Sequence, residues 1–322
     1  MTTILIGLPD DVLEAEQSAR IHALAPEAHL VVTDRREGME IALDDVEIAA
    51  GVISPKLIVK APRLRWYQQW AAGADWLLRY PQAVEQSFIL TSTSGIHATV
   101  ISEHVLALLL AFSRRLHVAM RAQTRHEWVS YPWGAGLGPE LAGQTLLLVG
   151  VGAIGKRTAQ VASALGMRVL GVRRNPDRAV PGIERLVGPE QIGEVLPLAD
   201  WVVITLPLTE ATRRSFGERE LRRMKPSAHV VNVGRGGTLD EAALLRALRA
   251  KWIAGAALDV FEHEPLPPDS PFWDLENVII SGHYAGSMPD YHQRALGVFL
   301  DNLQRYQAGQ PLRNVVDKRR GY

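Results

Sequence analysis

Short apolar runs alternate with stretches of helical periodicity along the first third of the chain. Residues 3–8 form a mostly apolar run that is typical of a buried strand, and residues 11–23 follow with a pattern that favours a helix. Further strand-like runs lie at residues 30–32, 46–48 and 58–59. Strands that alternate with helices at this spacing predict βαβ units and a parallel sheet, and we expect this first segment to end near Ser94 and Gly95.

A long apolar helix is predicted next, over residues 99–117. Glu103 and His104 are the only strongly polar residues near its start, so we expect the helix to be buried between two domains. A loop rich in glycine and proline follows at residues 131–138. The last helix of the chain is predicted at residues 291–308, where the pattern is amphipathic, and we expect it to return to the first domain.

A second and stronger alternation of strands and helices lies between the long helix and the last one. Its first two strands enclose a helix that is predicted at residues 155–165. The strands of this series are predicted at residues 145–149, 168–172, 201–206, 229–233, 256–260 and 278–280. Six strand signals of this kind predict a self-contained α/β domain built on a doubly wound parallel sheet.

A glycine motif follows the first strand of this second series. Gly150, Gly152 and Gly155 form the pattern G-x-G-x-x-G between an apolar strand and a helix. The first glycine permits a tight turn, the second lets a pyrophosphate approach the backbone, and the third lets the helix pack closely on the strand. The free N–H groups at the start of the helix favour phosphate. The motif predicts a dinucleotide-binding site, and the alternative is a glycine-rich structural turn.

The residue that follows the next strand indicates which dinucleotide binds. An NAD site usually carries an acidic residue there, which accepts a hydrogen bond from the ribose 2′-hydroxyl. In this chain the position is occupied by Arg173, followed by Arg174, and the nearest acid, Asp177, lies beyond a proline. Because arginine can pair with a 2′-phosphate, we predict that NADP is preferred and that NAD is possible. The alternative is a pair of solvated arginines beside an NAD site.

Three polar side chains lie after later strands, at the sheet edge where open α/β sheets bind ligands. Arg235 lies in a glycine-rich loop, Glu264 precedes a proline-rich stretch, and His283 lies in a loop of small residues. Each residue alone is at least as often structural as catalytic. Together they supply what hydride transfer to a 2-oxo acid requires: a cation for the carboxylate and carbonyl, a proton donor, and a carboxylate beside that donor.

At these residues the sequence resembles the D-isomer-specific 2-hydroxyacid dehydrogenase family, over nearly the whole chain. The motifs that carry the resemblance are the glycine pattern, Leu206-Pro207-Leu208-Thr209, Asn232 to Gly236, Leu258-Asp259-Val260-Phe261, Glu264-Pro265-Leu266 and His283. The resemblance implies that Arg235, Glu264 and His283 are the catalytic set, with Arg235 and His283 also contacting the substrate. It also implies that the loop of Ala72 and Gly73 holds the substrate carboxylate through its backbone amides.

The resemblance further implies the cofactor contacts, the fold and the assembly. Thr99 and Asp259 are expected near the nicotinamide, and other contacts are expected in the glycine loop and after the following strands. These other residues are Ala153, Ile154, Leu206, Pro207, Thr212 and Val233. The implied fold has a smaller flavodoxin-like substrate domain, discontinuous over residues 1–98 and 287–322, and a Rossmann dinucleotide-binding domain over residues 99–286. A homodimer through the cofactor domain is expected.

Several residues depart from the family pattern. Ser281 and Gly282 stand where the family commonly has Thr-Pro, and Tyr284 stands where a small residue is usual. Glu264 is glutamate and not glutamine, which argues against the formate-oxidising branch of the family. Trp128 and Trp133 could line the substrate pocket of the other subunit, or could simply pack in place.

Composition narrows the partners and the chemistry. The 35 basic and 35 acidic residues balance, so we expect neither a nucleic acid nor a membrane as partner. The chain has no cysteine, which excludes disulfides and thiolate catalysis, and its ten histidines show no metal-site spacing, so we expect no metal. The amino terminus lacks the features of a signal peptide, and we expect a cytoplasmic protein.

The sequence leaves three interpretations of function. The first is an oxidoreductase that moves a hydride between NADP(H) and C2 of a small 2-oxo or 2-hydroxy acid, similar to glyoxylate/hydroxypyruvate reductases. The second is a nucleotide-sensing interaction protein similar to the corepressors that resemble this family, although the chain has no long extensions. The third is a dehydrogenase for a non-carbon acid such as phosphite.

Overall fold

The structure is a computed structural model that describes residues 2–9, 11–131 and 138–322. The chain divides into two compact units, of which the first comprises Met1–Ile96 and Met288–Tyr322 and the second comprises His97–Ser287. The strands of the described residues are β1 (Thr3–Gly7), β2 (His29–Val32), β3 (Val46–Gly51), β4 (Trp66–Gln69), β5 (Ile89–Thr91), β6 (Thr145–Val149), β7 (Arg168–Val172), β8 (Arg185–Val187), β9 (Trp201–Ile204), β10 (His229–Asn232), β11 (Gly255–Leu258) and β12 (Val278–Ile280).

The described residues form both long and short helices. They are α1 (Ala15–Leu24), α2 (Arg36–Ala42), α3 (Pro55–Ile58), α4 (Gln82–Glu85), α5 (Ala98–Ser113), α6 (Leu116–Thr124), α7 (Ala153–Ala164), α8 (Ile192–Val195), α9 (Glu218–Leu221), α10 (Glu241–Arg249) and α11 (Tyr291–Gln307). Among these described helices none qualifies as a bilayer-crossing segment.

The first unit contains a parallel sheet with the strand order β2-β1-β3-β4-β5. Ile4 of β1 lies opposite Leu30 of β2 and Ile48 of β3. Side chains on the two faces of β1 enter different cores: Ile4 packs in the core that also contains Phe299 of α11, and Leu5 packs in the other core. Both faces of the sheet are therefore covered, as a doubly wound parallel sheet requires, and the strand order is the flavodoxin-like one.

The second unit contains a larger parallel sheet with the strand order β12-β11-β10-β9-β6-β7-β8. Successive residues of β6 again enter different cores, with Leu148 facing the cluster of α5 and α7 and Leu147 facing the cluster that includes α10. From β8 to β11 the order is the one found in Rossmann folds, and β12 extends it by one strand. The predicted fold class, two doubly wound parallel-sheet domains, is confirmed.

Some element predictions were wrong. Residues 58–59, predicted as a strand, lie at the end and just after α3, which has Pro55 at its first position. Helix 99–117 is interrupted because Arg115 adopts a left-handed conformation with φ of 54°. Only one face of α5 is buried, against α7, while Leu110 on the other face is exposed. Strands β4, β5 and β8 were not predicted, since runs of three or four residues do not establish a period of two.

Candidate active site

The glycine motif joins β6 to α7 through tightly packed backbone. Gly150 has φ of 105°, and a Cβ there would lie 2.8 Å from Thr205 Oγ1. A Cβ at Gly155 would overlap with the carbonyl oxygen of Gly150. The first and third glycines are therefore required by the fold itself, because larger residues would push α7 away from the sheet.

Gly152 differs from the other two glycines because a Cβ there would meet nothing within 4 Å. It is the N-cap of α7 and provides no side-chain oxygen for the first N–H groups of the helix. Ala153 and Ile154 form the first turn beside this open space. Open space at the N-terminus of a 12-residue helix fits the pyrophosphate of a dinucleotide, which would accept hydrogen bonds from these amides.

The different surroundings of Gly152 and Gly155 give a testable prediction. We expect Gly155→Ala to lower the stability of the protein by about 1–3 kcal/mol, because the methyl group overpacks the junction of strand and helix. We expect Gly152→Ala to leave the thermal midpoint nearly unchanged and to raise the Kd for the dinucleotide. Thermal unfolding and equilibrium dinucleotide titration of both variants check this. A large loss of stability in Gly152→Ala would contradict it.

The other predicted cofactor residues lie at several points of the second unit. Arg173 follows β7 directly and is half-buried, and its backbone N–H donates a hydrogen bond to Val187 O at 3.0 Å. Arg174 is exposed. Thr212 Oγ1 donates to Pro207 O at 2.6 Å and closes the turn after β9. The remaining positions are the half-buried Leu206, the buried Val233 after β10, and the exposed Thr99 in the first turn of α5.

The structure brings two of the predicted catalytic residues into direct contact. His283 Nδ1 lies 2.6 Å from Glu264 Oε2. The other carboxylate oxygen of Glu264 accepts a hydrogen bond from the backbone N–H of Phe261 at 2.9 Å, which fixes the carboxylate. The side chains of His283 and Glu264 retain 46% and 34% of their exposure, so the pair is open to a ligand. An imidazole held through Nδ1 leaves Nε2 available for proton transfer.

A buried carboxylate anchors the loop that carries His283. Asp259 accepts hydrogen bonds from Ser281 Oγ at 2.7 Å, from Tyr284 N at 3.1 Å and from Ala285 N at 3.1 Å. The backbone N–H of His283 also donates to Asp259 O at 2.7 Å. Asp259 was expected only near the nicotinamide, and its contact with the His283 loop was not predicted from the sequence. Ser281, one of the departures from the family pattern, provides the hydroxyl that the more usual threonine would also provide.

His104 of α5 extends this anchored network. Its Nε2 lies 3.0 Å from Ser281 Oγ, and its ring contacts Tyr284 edge-on at a centroid distance of 5.6 Å. Burial lowers the pKa of His104, and the charge of Asp259 opposes that shift. Tyr284 is thereby placed against His104 while more than half of its surface stays exposed. His104 stood out in the sequence only as a polar residue near the start of an apolar helix and was assigned no role, since a single histidine there is more often structural.

The loop of Arg235 lies beside the segment that leads to Glu264. Asn232 accepts from Gly234 N at 3.1 Å and donates to Arg235 O at 3.2 Å, so its side chain holds the turn after β10. A Cβ at Gly236 would overlap with the carbonyl group of Phe261, which shows how closely the two loops pack. Arg235 is half-buried, and its Nη1 donates to Gly234 O at 2.9 Å.

The predicted carboxylate loop of the first unit is supported from inside by a buried glutamine. Gln69 Nε2 donates to Ala71 O at 3.0 Å and to Gly73 O at 2.7 Å. Trp76 Nε1 donates to Gln69 Oε1 at 2.8 Å and fixes the orientation of the amide. Ala72 is exposed and Gly73 is half-buried. With two carbonyls of the loop engaged by Gln69, the loop has a defined shape, and sequence reasoning did not find either Gln69 or Trp76.

Two further predictions concern tryptophans and metals. Trp128 is 94% exposed, so it packs little against the described part of its own chain, whereas Trp133 lies outside the described residues. In the described part of the chain, no three histidine, aspartate or glutamate side chains are grouped so that they could hold a metal ion.

Comparison with known proteins gives consistent matches. The model of the D-isomer specific 2-hydroxyacid dehydrogenase NAD binding domain matches residues 106–285. A glyoxylate reductase of Korarchaeum cryptofilum is 34% identical over 298 residues, which are 91% of this chain and 87% of that protein. This match spans most of both proteins, so it is not confined to one domain.

Solved structures agree with the sequence matches. A D-isomer specific 2-hydroxyacid dehydrogenase family protein from Aeromonas salmonicida aligns with a TM-score of 0.84 and 32% identity, over 98% of this chain and 99% of that one. An NADPH-dependent glyoxylate/hydroxypyruvate reductase from Sinorhizobium meliloti, solved with NADP and sulfate, aligns with a TM-score of 0.83 and 28% identity over 100% of both chains. The resemblance inferred from the motifs is confirmed: this chain belongs to the D-isomer-specific 2-hydroxyacid dehydrogenase family and is a nicotinamide-dependent oxidoreductase.

Proposed function

We propose that this enzyme reduces small 2-oxo acids of the glyoxylate and hydroxypyruvate class to D-2-hydroxy acids, with NADPH as the preferred cofactor. The observation that carries the proposal is the contact of 2.6 Å between His283 and Glu264, in the same sheet edge as Arg235 and the glycine motif. The names of the relatives support the substrate class, since glyoxylate reductases recur among them.

In this proposal the chain binds, orients and protonates the substrate. Bound NADPH would supply the hydride that reduces C2. Arg235 pairs with the substrate carboxylate and polarises the carbonyl group. His283 donates a proton from Nε2 to the carbonyl oxygen, and Glu264 fixes the ring and balances the charge of the imidazolium. Ser281 and Asp259 hold the His283 loop in position through the hydrogen bonds described above.

The two domains are assigned separate tasks. Residues 99–286 bind the dinucleotide, with the amides at Ala153 and Ile154 on the pyrophosphate and Thr99 and Asp259 near the nicotinamide. Leu206, Pro207, Thr212 and Val233 complete the cofactor site. Residues 1–98 and 287–322 bind the substrate, whose carboxylate accepts hydrogen bonds from the backbone amides of Ala72 and Gly73. The hydrogen bonds that Gln69 donates to Ala71 O and Gly73 O, one residue before Ala72 and one after it, support the assignment.

The cofactor preference is tested by running NADPH and NADH in parallel. With glyoxylate and hydroxypyruvate as substrates, we expect a higher kcat/KM for NADPH than for NADH. Replacing Arg173 with Asp should reverse this order, because an acid at that position repels a 2′-phosphate and accepts a hydrogen bond from a 2′-hydroxyl. Absorbance at the nicotinamide band gives the rates.

The same assay distinguishes the alternative functions. Oxidation of phosphite with NADP⁺ in the same assay would indicate a phosphite-type dehydrogenase. A protein that binds NADPH but turns over neither phosphite nor the 2-oxo acids would favour the nucleotide-sensing interpretation. Equal efficiency with both cofactors in the wild type, or an Arg173→Asp variant that still favours NADPH, would contradict the proposed preference.

A homodimer is also proposed, formed through the cofactor domain. Apolar side chains are exposed on α6 and in the segment that follows it. They are Leu116, Met120, Trp128 and Val129. An apolar surface of this kind on a soluble domain is typical of an interface, and burial in a second copy would remove it from water.

A further inference from the structure

A cationic depression lies between α7 and the segment that follows β7. Its volume is about 240 Å³. Lys156, Arg173 and Arg178 line it together with Gln160 and the stretch from Ala179 to Pro181. The lining contains three cations and no carboxylate, so the depression favours an anion. Neither Lys156 nor Arg178 was singled out by the sequence analysis.

The walls of the depression are held by the packing of the segment onto the helix. Val180 is buried in the core of α5 and α7, and its carbonyl oxygen accepts a hydrogen bond from Ile183 N at 3.1 Å. Gly182 lies so close to α7 that a Cβ there would be 3.2 Å from Ala159 O. Arg178 therefore extends from a segment that is anchored two residues later, although the guanidinium itself is exposed.

The position of the depression identifies the anion. Arg173 comes directly after β7, and in this fold the residue at that strand end contacts the 2′ position of the adenine ribose. Lys156 comes directly after Gly155, the last glycine of the motif. A volume of 240 Å³ is smaller than the roughly 300–1,000 Å³ of pockets that enclose whole small molecules. It suits one substituent of the dinucleotide and not the dinucleotide itself.

We propose that this depression receives the 2′-phosphate of NADP, and that Lys156 and Arg178 are specificity-determining residues beside Arg173. The inference rests on the proposed preference for NADPH. A 2′-phosphate carries close to two negative charges and can accept hydrogen bonds from all three cations. NADH has a neutral hydroxyl at this position, so it leaves the mutual repulsion of the three cations uncompensated.

This site differs from the one that the sequence indicated. Arg173 and its neighbour Arg174 were the residues predicted to favour NADP, whereas Arg174 is absent from the described lining of the depression. Along a strand the side chains of successive residues alternate between the two faces, which is consistent with a lining that includes Arg173 and not Arg174. The second and third cations come instead from the first turn of α7 and from a turn five residues after Arg173.

The test compares charge-removing variants of the whole 322-residue chain. Lys156→Gln and Arg178→Gln remove one cation each from the depression. Arg157→Gln is the matched control, because Arg157 is the next residue of α7, is also exposed, and does not line the depression. Kd values for NADPH and NADH are measured by fluorescence titration, and Kd values for adenosine 2′,5′-bisphosphate and 5′-AMP are measured by calorimetry, so that binding is read without turnover.

Lys156→Gln and Arg178→Gln are each expected to raise the Kd for NADPH by about tenfold, as for the loss of one charge-assisted hydrogen bond. Their Kd values for NADH and 5′-AMP should change by less than about twofold, within the range of a solvated surface charge. In both variants the binding of adenosine 2′,5′-bisphosphate should weaken in parallel with that of NADPH, and it should depend less steeply on salt concentration. Arg157→Gln should match the wild type with all four ligands.

Three results would overturn the site. They are unchanged NADPH binding in both variants, equal weakening of NADPH and NADH, and a selective loss of NADPH binding in Arg174→Gln instead. A wild-type protein that binds NADPH and NADH equally would refute the cofactor preference and this site together. A wild-type preference that survives Lys156→Gln and Arg178→Gln would refute this site alone and leave the proposed function intact.

Discussion

Replacing His283 with Gln is expected to lower kcat for 2-oxo acid reduction by about 10²–10⁴-fold, the usual contribution of a positioned general acid. Glutamine can still accept or donate a hydrogen bond but cannot deliver a proton to the carbonyl oxygen. The Kd for NADPH should stay close to the wild-type value, because no contact of the glycine motif involves His283. Steady-state kinetics and an equilibrium NADPH titration give the two readouts.

His263→Gln is the matched control for this experiment. His263 is an exposed histidine next to Glu264, and it has no proposed role. The same chemical change there should leave kcat within about twofold of the wild type, as for a surface substitution. Near-full activity of His283→Gln, or an equal loss in both variants, would remove His283 from the catalytic set.

Arg235→Gln is expected to lower kcat/KM by about 10²–10⁴-fold. A guanidinium that pairs with a carboxylate makes two charge-assisted hydrogen bonds, each contributing about 1.5–3 kcal/mol, and glutamine replaces neither charge. Arg235→Lys should recover only part of the loss, because an ammonium group cannot reproduce the paired geometry. Initial rates over a range of 2-oxo acid concentrations, at saturating NADPH, measure the effect.

Arg214→Gln controls for the loss of a positive charge in the same region. Arg214 forms an exposed ion pair with Glu262 at 3.0 Å, and such pairs contribute about 0–1 kcal/mol. We expect its kcat/KM to remain near the wild-type value. If Arg235→Gln kept more than about a tenth of the wild-type kcat/KM while unfolding normally, the carboxylate would have to be held elsewhere.

Some features of this site follow from local sequence alone. The motif of Gly150, Gly152 and Gly155 can be recognised from its spacing, because each glycine is needed by backbone or ligand within a few residues of it. Arg235, Glu264 and His283 could be selected because each follows a strand of a parallel sheet, and the carboxyl ends of such strands meet at one edge. The ends of strands can be located from local sequence, and in a parallel sheet the residues that follow them lie close together in space.

Other elements depend on partners that are distant in sequence, and the pattern could not show them. Strand β4 contains the buried Gln68, which breaks the apolar pattern of a core strand. The Oε1 atom of Gln68 accepts hydrogen bonds from Thr91 Oγ1 at 2.8 Å and from Asn302 Nδ2 at 2.9 Å. These two partners are 23 and 234 residues away from Gln68 in the sequence. A buried amide is tolerated only when such partners are present, so neither the strand nor its burial was predictable without them.

The sequence by itself determined the two α/β sheets and the dinucleotide-binding loop, and it selected three candidate catalytic side chains, because periodicity and strand ends are visible in consecutive residues. Only the tertiary structure decided what supports them: the buried Asp259 beneath the His283 loop, the amide of Gln69 beneath the Gly73 loop, and the cations that surround Arg173. These groups act through hydrogen bonds and charges, which require the residues to be close in space. The order of residues along the chain does not show which residues will be close enough.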